Sequence, residues 1–535
     1  MIKLKPPGIS RHLLVFFLIV FTVALFIRFY NLSLNPPGLY WDEAAFGYDA
    51  YSILHTGKDQ HGAFLPLFFQ SYGDWKLPGY FYILIPSISL FGLNEFAIRF
   101  PSFLFGLLTI VWFYFLVRRG TSNKILGLFA AAMLALSSWH IQFSRAGFES
   151  VPALFIFVLA LVLFLKSPSS KKTLSSILSF VFFALTMYIY HAYRIFTPLF
   201  LVGLTVLFYK EIKTRKKNFL LSLAIFILIS LPLIFFTLTP NGLNRASSQS
   251  NFNRDEFKQE RLDFDQRSKP PFRFLSSKIY NEPLYIAELT AKNYLENFSP
   301  SFLFLRGDQI GRHSQVDMGQ LHIFEFILIA IALFNLKNVN KTFLKIMLLW
   351  LILSPLPAAI VAPNPHAQRS LQMVIPLAFF SGLGAYSIYS SKLKLPKIII
   401  FVWAVLVIVI FTRHLFVIYP RKFAADWQDG YRRMVTAVQK YEPNYQKIYI
   451  TKINNVPYIY TLIYTNYDPA KYLESGSPEG FGKYQFVGVN EPIYGKGKAL
   501  YVAPPWQKID GVLKEEIRDN GGNVVYKIWN LGGEN

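Results

Sequence analysis

The sequence predicts a polytopic α-helical membrane protein ending in a small soluble α/β domain. Three observations predict it. The chain of 535 residues is 53% hydrophobic, with a mean hydropathy of +0.33. Charged residues make up 16%, where a soluble protein carries about a quarter. Finally, long apolar runs fill the chain up to about residue 420, and shorter strand-like and helix-like segments follow.

A bilayer span needs roughly 20 apolar residues. About eleven runs approach that length, at 12–30, 97–117, 124–141, 150–165, 174–190, 195–209, 218–238, 320–336, 342–361, 370–390 and 397–418. The first contains Leu13 to Ile27 after a basic start, with no small-residue cleavage site behind it, and reads as an uncleaved signal anchor. The stretch Tyr80–Phe91 is short and contains Pro86, so it reads as a helix lying at the membrane interface.

Sidedness follows from the basic residues. With the N-terminus inside, the inward connections hold Lys3, Lys5 and Arg11; Arg118, Arg119 and Lys124; Lys166, Lys171 and Lys172; Lys210, Lys213, Arg215, Lys216 and Lys217; Lys337, Lys341 and Lys345; and Lys392, Lys394 and Lys397. The short outward turns hold only Arg145, Arg194 and Arg369. Counting Tyr80–Phe91 as a span would put the basic tail and the later basic turns on opposite sides. Much of the net charge of +23 is therefore topological and asks for no nucleic acid.

Residues 1–419 are thus expected to form a plasma-membrane domain with a cytoplasmic N-terminus and outward loops 31–96 and 239–319. Residues 420–535 are expected to form an extracytoplasmic α/β domain. There, strands are predicted at 447–451, 484–490, 499–504 and 523–530, with helices at Trp427–Tyr441, Pro457–Tyr464 and Val512–Ile517. The chain has no cysteine, which excludes disulfides and thiolate chemistry. No phosphate-binding Gly-rich loop and no internal repeat is present.

Candidate chemistry gathers in the outward segments. GLYWDEAAFGYDA (38–50) offers Asp42 and Glu43, as general base or cation ligands; the plainer reading makes Asp42 the N-cap of a helix Glu43–Leu54. SYGDWKLPGYFY (71–82) offers Lys76 as a phosphate contact or a snorkelling lysine. Arg99 near the second span has the same two readings. SSWHIQFSRAGFES (137–150) gives Arg145 and Glu149, a second carboxylate or a helical ion pair. YIYHAYRIF (188–196) adds Tyr190, His191 and Arg194 amid an aromatic belt. APNPHAQRS (362–370) places His366 and Arg369 three apart, suited to a lipid phosphate or to plain interface anchoring. The 297–322 stretch adds Arg306, Asp308, Arg312, His313 and Asp317, as a substrate lid or an ordered surface loop, without a metal-ligand spacing.

Together these motifs resemble the C-type-fold membrane glycosyltransferases that use polyprenyl-phosphate sugars, family 39 in the broad sense. That group includes protein O-mannosyltransferases and lipid A aminoarabinose transferases. The resemblance covers roughly residues 1–420. It rests on the acid of the first outward loop (Asp42, then Glu43), Lys76-Leu77-Pro78 before the interfacial helix, Arg99-Phe100-Pro101-Ser102, Arg145 with Glu149, and Pro365-His366 with Arg369. Leu77 is inserted into the Lys-Pro signature, and Glu149 stands where many members have Asp.

The resemblance implies a sugar transferase acting on an acceptor protein, lipid or cell-wall glycan. Asp42 would be its general base, with Glu43 and Glu149 as further catalytic acids. Lys76, Arg99, His366 and Arg369 would bind the donor phosphate, and Arg145, Tyr190, His191, Arg194, Arg312 and His313 would line the cavity. No cofactor is implied, although Asp42, Glu43 and Glu149 are a set able to gather a divalent cation. The alternatives are a transporter or flippase of lipid-linked sugars and a membrane-anchored scaffold. Span interiors nearly free of charge disfavour the first, and the number of spans disfavours the second.

Overall fold

The structure, a computed structural model, describes residues 10–166, 173–242, 252, 254–267, 281–315, 317–392, 394–453, 456–489, 491 and 498–531. Lys3, Lys5, Lys171, Lys172, the end of the predicted strand 484–490 and parts of the loop 239–319 lie outside the described residues.

Among the described residues, six helices are long and apolar enough to cross a membrane. They are Arg11–Phe29, Glu95–Thr121, Lys216–Thr237, Lys341–Ala359, Leu371–Ser390 and Leu395–Lys422. A seventh candidate is a pair, Lys124–Leu136 and Ser138–Ser144, bent by 60°. The sequence reading of one span at 124–141 misses this break. Ser137 takes an extended backbone and its hydroxyl accepts from His140 N–H, which starts a new helix in a new direction. Four further predicted spans correspond to shorter apolar helices, Ser150–Lys166, Thr173–Ile189, Tyr193–Leu207 and Ile323–Leu333. The chain is a multi-pass membrane protein.

Helix packing follows residue size. Gly382 meets the backbone of Ala130 so closely that a Cβ there would lie 2.5 Å from its Cα, which lets Val374–Ser390 nest against Lys124–Leu136. By contrast, only 6% of the apolar window of Leu395–Lys422 is buried, and it presents Ile398, Phe401, Val405 and Ile410 outward, as a lipid-facing helix does.

Past the first long helix, the chain forms helix Trp41–Thr56, a hairpin of β1 (Phe69–Ser71) and β2 (Asp74–Lys76), and helix Gly79–Phe91. Tyr72 and Gly73 take positive φ of 50° and 76° in the hairpin turn, the geometry a tight two-residue loop requires.

The C-terminal region carries a six-stranded sheet in the order β4-β5-β3-β6-β8-β7. Its strands are β3 (Lys447–Thr451), β4 (Gly480–Phe481), β5 (Tyr484–Val487), β6 (Ala499–Ala503), β7 (Val512–Arg518) and β8 (Val524–Leu531). β3 pairs parallel with β5 and β6, and β8 runs antiparallel to both β6 and β7. Two predictions fail here. Val512–Ile517 is an edge strand, because the ladder to β8 outweighs the helix preference of Lys514, Glu515 and Glu516. The helix predicted at Trp427–Tyr441 begins at Tyr431, since Gln428 and Gly430 take positive φ of 53° and 114°.

This sheet region packs on the first-loop helices. Leu39, Phe46, Tyr80, Leu84 and Ile98 share one apolar core with Met434, Ile459, Leu462, Leu500 and Ile528. Tyr460 OH donates to Leu39 O at 2.9 Å, and Trp41 N–H donates to Gln428 Oε1 at 2.9 Å.

Candidate functional site

A cavity of about 1190 Å³ opens between the first-loop helix, the hairpin and several helix ends. Of the residues singled out in the sequence, Asp42, Lys76, Glu149, Tyr190, His191, Arg194, Arg312, His313, His366 and Arg369 all line it.

Asp42 is the second residue of helix Trp41–Thr56, whose N-cap is Tyr40, so Asp42 does not cap it as the plainer reading had it. Its side chain is a quarter exposed and meets Lys76 Nζ at 3.0 Å. Lys76 ends β2, where the hairpin register sets it opposite Phe69. Glu149 lies just before helix Ser150–Lys166, Tyr190 and His191 come from the turn between two apolar helices, and Arg194 from the first turn of the second, Tyr193–Leu207. Arg194 donates to Thr237 Oγ1. The Arg312 guanidinium stacks over Tyr40 at 3.7 Å and donates to Asp426 O at 3.0 Å. Arg369 Nη1 donates to Ala362 O at 2.6 Å, which braces the turn it stands on.

Three predicted site residues are elsewhere. Glu43 and Arg99 are buried against each other, with Arg99 Nε donating to Glu43 Oε1 at 3.0 Å. Glu43 also accepts from Tyr40 N–H at 3.0 Å and Gly147 N–H at 2.6 Å. A Cβ on Gly147 would stand 3.1 Å from that carboxylate, so glycine permits the approach. Arg99 donates further to the carbonyls of Leu32, Pro36 and Gly38. Arg145 is also buried and donates to the carbonyls of Ile27, Arg28, Tyr30 and Asn35. Two guanidiniums thus satisfy carbonyls of the last turn of helix Arg11–Phe29 and of the irregular segment that follows it. Glu43, Arg99 and Arg145 act as scaffold because their charges are consumed by buried partners.

Sequence reasoning overlooked other cavity residues: Tyr40, Trp41, Tyr72, Asp74 and Gln368. Asp74 sits two residues before Lys76, and period-two alternation in a hairpin puts both on one face, which is the signal that was available. The cavity wall thus carries four cationic side chains, Lys76, Arg194, Arg312 and Arg369, and three carboxylates, Asp42, Asp74 and Glu149. Apolar side chains also line it, among them Phe226, Leu233, Ile234, Leu238, Ile286 and Leu289.

Asp308, His313 and His366 are buried together and each offers one ligand atom within 4.8 Å of the others. They are a set able to hold a metal ion. Burial pushes both imidazoles below their usual range; Arg369 adds to this at each, and Asp308 opposes it at His313.

Residues 18–242 match the family described as dolichyl-phosphate-mannose-protein mannosyltransferase. An uncharacterized protein of Aquifex aeolicus (strain VF5) is 31% identical over 157 residues, 29% of this chain and 30% of that one. The match therefore spans under a third of that relative's length. Among solved structures, ArnT from Cupriavidus metallidurans is similar in its apo state (TM-score 0.53, 12% identity). Its form bound to undecaprenyl phosphate gives a TM-score of 0.54 at 13% identity, covering 98% of this chain and 100% of that one. The apo oligosaccharyltransferase of Archaeoglobus fulgidus gives 0.50 at 14% identity, covering 84% of this chain and 64% of that one. These likenesses bear out the resemblance carried by the motifs. The chain is a multi-pass membrane protein of the C-type glycosyltransferase fold, and its residues 18–242 carry the pattern of the mannosyltransferase family.

Proposed function

We propose that the chain is a glycosyltransferase that moves a sugar from a polyprenyl-phosphate donor to an acceptor hydroxyl on the extracytoplasmic face of the cell membrane. The observation that carries this reading is the Asp42–Lys76 pair, 3.0 Å apart, in a cavity lined by both charged and apolar side chains. A lipid phosphate needs both. Its charge is met by Lys76 and Arg369, and the first isoprene units rest against residues such as Leu233, Ile234 and Ile286. The family matched by residues 18–242 is named for a lipid-phosphate sugar donor, and the ArnT neighbour holds undecaprenyl phosphate, which supports the same donor class here.

In this mechanism Asp42 takes the proton of the acceptor hydroxyl as its oxygen attacks the anomeric carbon. The bond from that carbon to the phosphate oxygen breaks, and the leaving lipid phosphate keeps the electron pair. Lys76 and Arg369 stabilise the charge that grows on it. Lys76 is paired with Asp42; a lipid phosphate that draws the ammonium away leaves the carboxylate free to accept a proton. Glu149 orients the acceptor. One displacement inverts the anomeric centre. The sidedness proposed here is supported by the basic turns, which favour Asp42, Lys76, Glu149 and Arg369 on the outer face.

The test is release of sugar from a synthetic polyprenyl-phosphate sugar by purified protein in detergent, with the product's anomeric configuration read by NMR. Acceptor-dependent release with inversion is expected. Retention of configuration overturns the single displacement, and no release with any polyprenyl-phosphate sugar overturns the transferase reading.

A further inference from the structure

Asp308 and His313 lie on the loop that follows the helical turn Ser301–Leu305, and His366 lies on the Pro-rich turn carrying Arg369. Asp308 is held firmly: Oδ1 accepts from Ile310 N–H at 2.9 Å and Oδ2 from Ala367 N–H at 2.7 Å. Oδ2 also stands 3.3 Å from His313 Nδ1. Asp308 is the polar group that this buried nitrogen meets. The His313 and His366 rings are 4.6 Å apart, centroid to centroid. His313, Asp308 and His366 are 5%, 2% and 5% exposed. Two buried imidazoles and a buried carboxylate, each with a ligand atom within 4.8 Å of the others, leave a ready place for a Lewis acid.

We infer that Asp308, His313 and His366 form a binding site for a divalent transition metal, zinc by its ligand chemistry. Two imidazole nitrogens with one carboxylate oxygen suit zinc, whereas calcium and magnesium favour all-oxygen sets. Three protein ligands leave a fourth position open, and His313 and His366 both face the cavity. The outer shell is present: the backbone N–H groups of Ile310 and Ala367 fix the carboxylate, as such partners do in metal sites. The ion joins two segments far apart in sequence, the loop bearing Arg312 and the turn bearing Arg369, and so fixes the cationic wall of the cavity. Metal binding at these residues does not depend on the sugar-transfer reading.

The experiment uses the full chain with a purification tag free of histidine. Protein is loaded with Zn²⁺ or Co²⁺, desalted, and its metal content measured by mass spectrometry; Co²⁺ is also read by its visible d–d bands. One metal per chain is expected, with a rise in melting temperature. His366→Asn should weaken binding by more than about 100-fold, beyond the 10–100-fold that outer-shell changes cost. Asp308→Cys, which keeps a ligand, should retain Co²⁺ and add a sulfur-to-cobalt charge-transfer band. His191→Ala, in the cavity but outside the cluster, should bind as the parent does. Loaded wild-type protein without stoichiometric metal overturns the inference, as does a folded His366→Asn that retains metal at parental affinity. If a variant fails to fold, the wild-type metal content and cobalt spectrum decide.

Discussion

Glu43 and Arg99 form a buried ion pair at 3.0 Å, one residue away from Asp42, whose own ion pair faces the cavity. Adjacent acids thus have opposite environments. Removing one partner of a buried pair strands the other charge, which typically costs about 3–5 kcal/mol. Glu43→Gln and Arg99→Leu should each lower the melting temperature in detergent sharply. An unchanged melt would show that the pair is not what holds residues 32–38.

Asp42→Asn should leave the melt near that of the parent, since the side chain is partly exposed and its carboxylate has no buried partner set. Transfer should fall by about 10²–10⁴-fold, the range for loss of a general base. Turnover close to the parent's would remove Asp42 from the chemistry.

Lys76→Ala and Arg369→Ala should each reduce donor kcat/KM by about 10–100-fold, matching a charged hydrogen bond of about 1.5–3 kcal/mol. Acceptor KM should move little. Equal losses toward both substrates would place these cations away from the phosphate.

Asp49 is buried on the same helix and accepts from Gln60 N–H at 2.9 Å and Gln60 Nε2 at 3.1 Å. Burial pushes its carboxyl up to about 8. The folded state therefore holds a proton that the unfolded chain releases near about pH 3.9. Its contribution to stability is full below that pH, declines as pH rises between the two values, and levels off above about 8. Asp49→Asn should flatten the melting profile across this window relative to the parent. An identical slope in both proteins would show that Asp49 is already ionised.

Much of the fold was legible because its signals are local. Apolar runs marked the membrane helices, and KIYIT (447–451) reads as a strand from its own residues. What escaped depended on distant partners. Nothing within VLKEEIR announces the β8 ladder, and nothing near Trp427 announces that Gln428 must turn to meet Trp41. The site divided in the same way. Sidedness gathered Asp42, Lys76, Glu149 and Arg369, but it could not separate cavity residues from Glu43, Arg99 and Arg145: the two arginines are claimed by backbone carbonyls, and Glu43 by Arg99 and two backbone N–H groups. The Asp308–His313–His366 set escaped because its third member comes from another turn, so no spacing records it.

The hydrogen bonds from Tyr460 to Leu39 and from Trp41 to Gln428 join residues 421 and 387 positions apart. The Arg99 and Arg145 tethers join residues that all lie in the first part of the chain. The start of the Asp42 helix, by contrast, acquires these partners only after the last membrane helix has been inserted. Every described residue that lines the cavity precedes position 370, yet the end of the helix that presents Asp42 is held by partners made near the end of the chain.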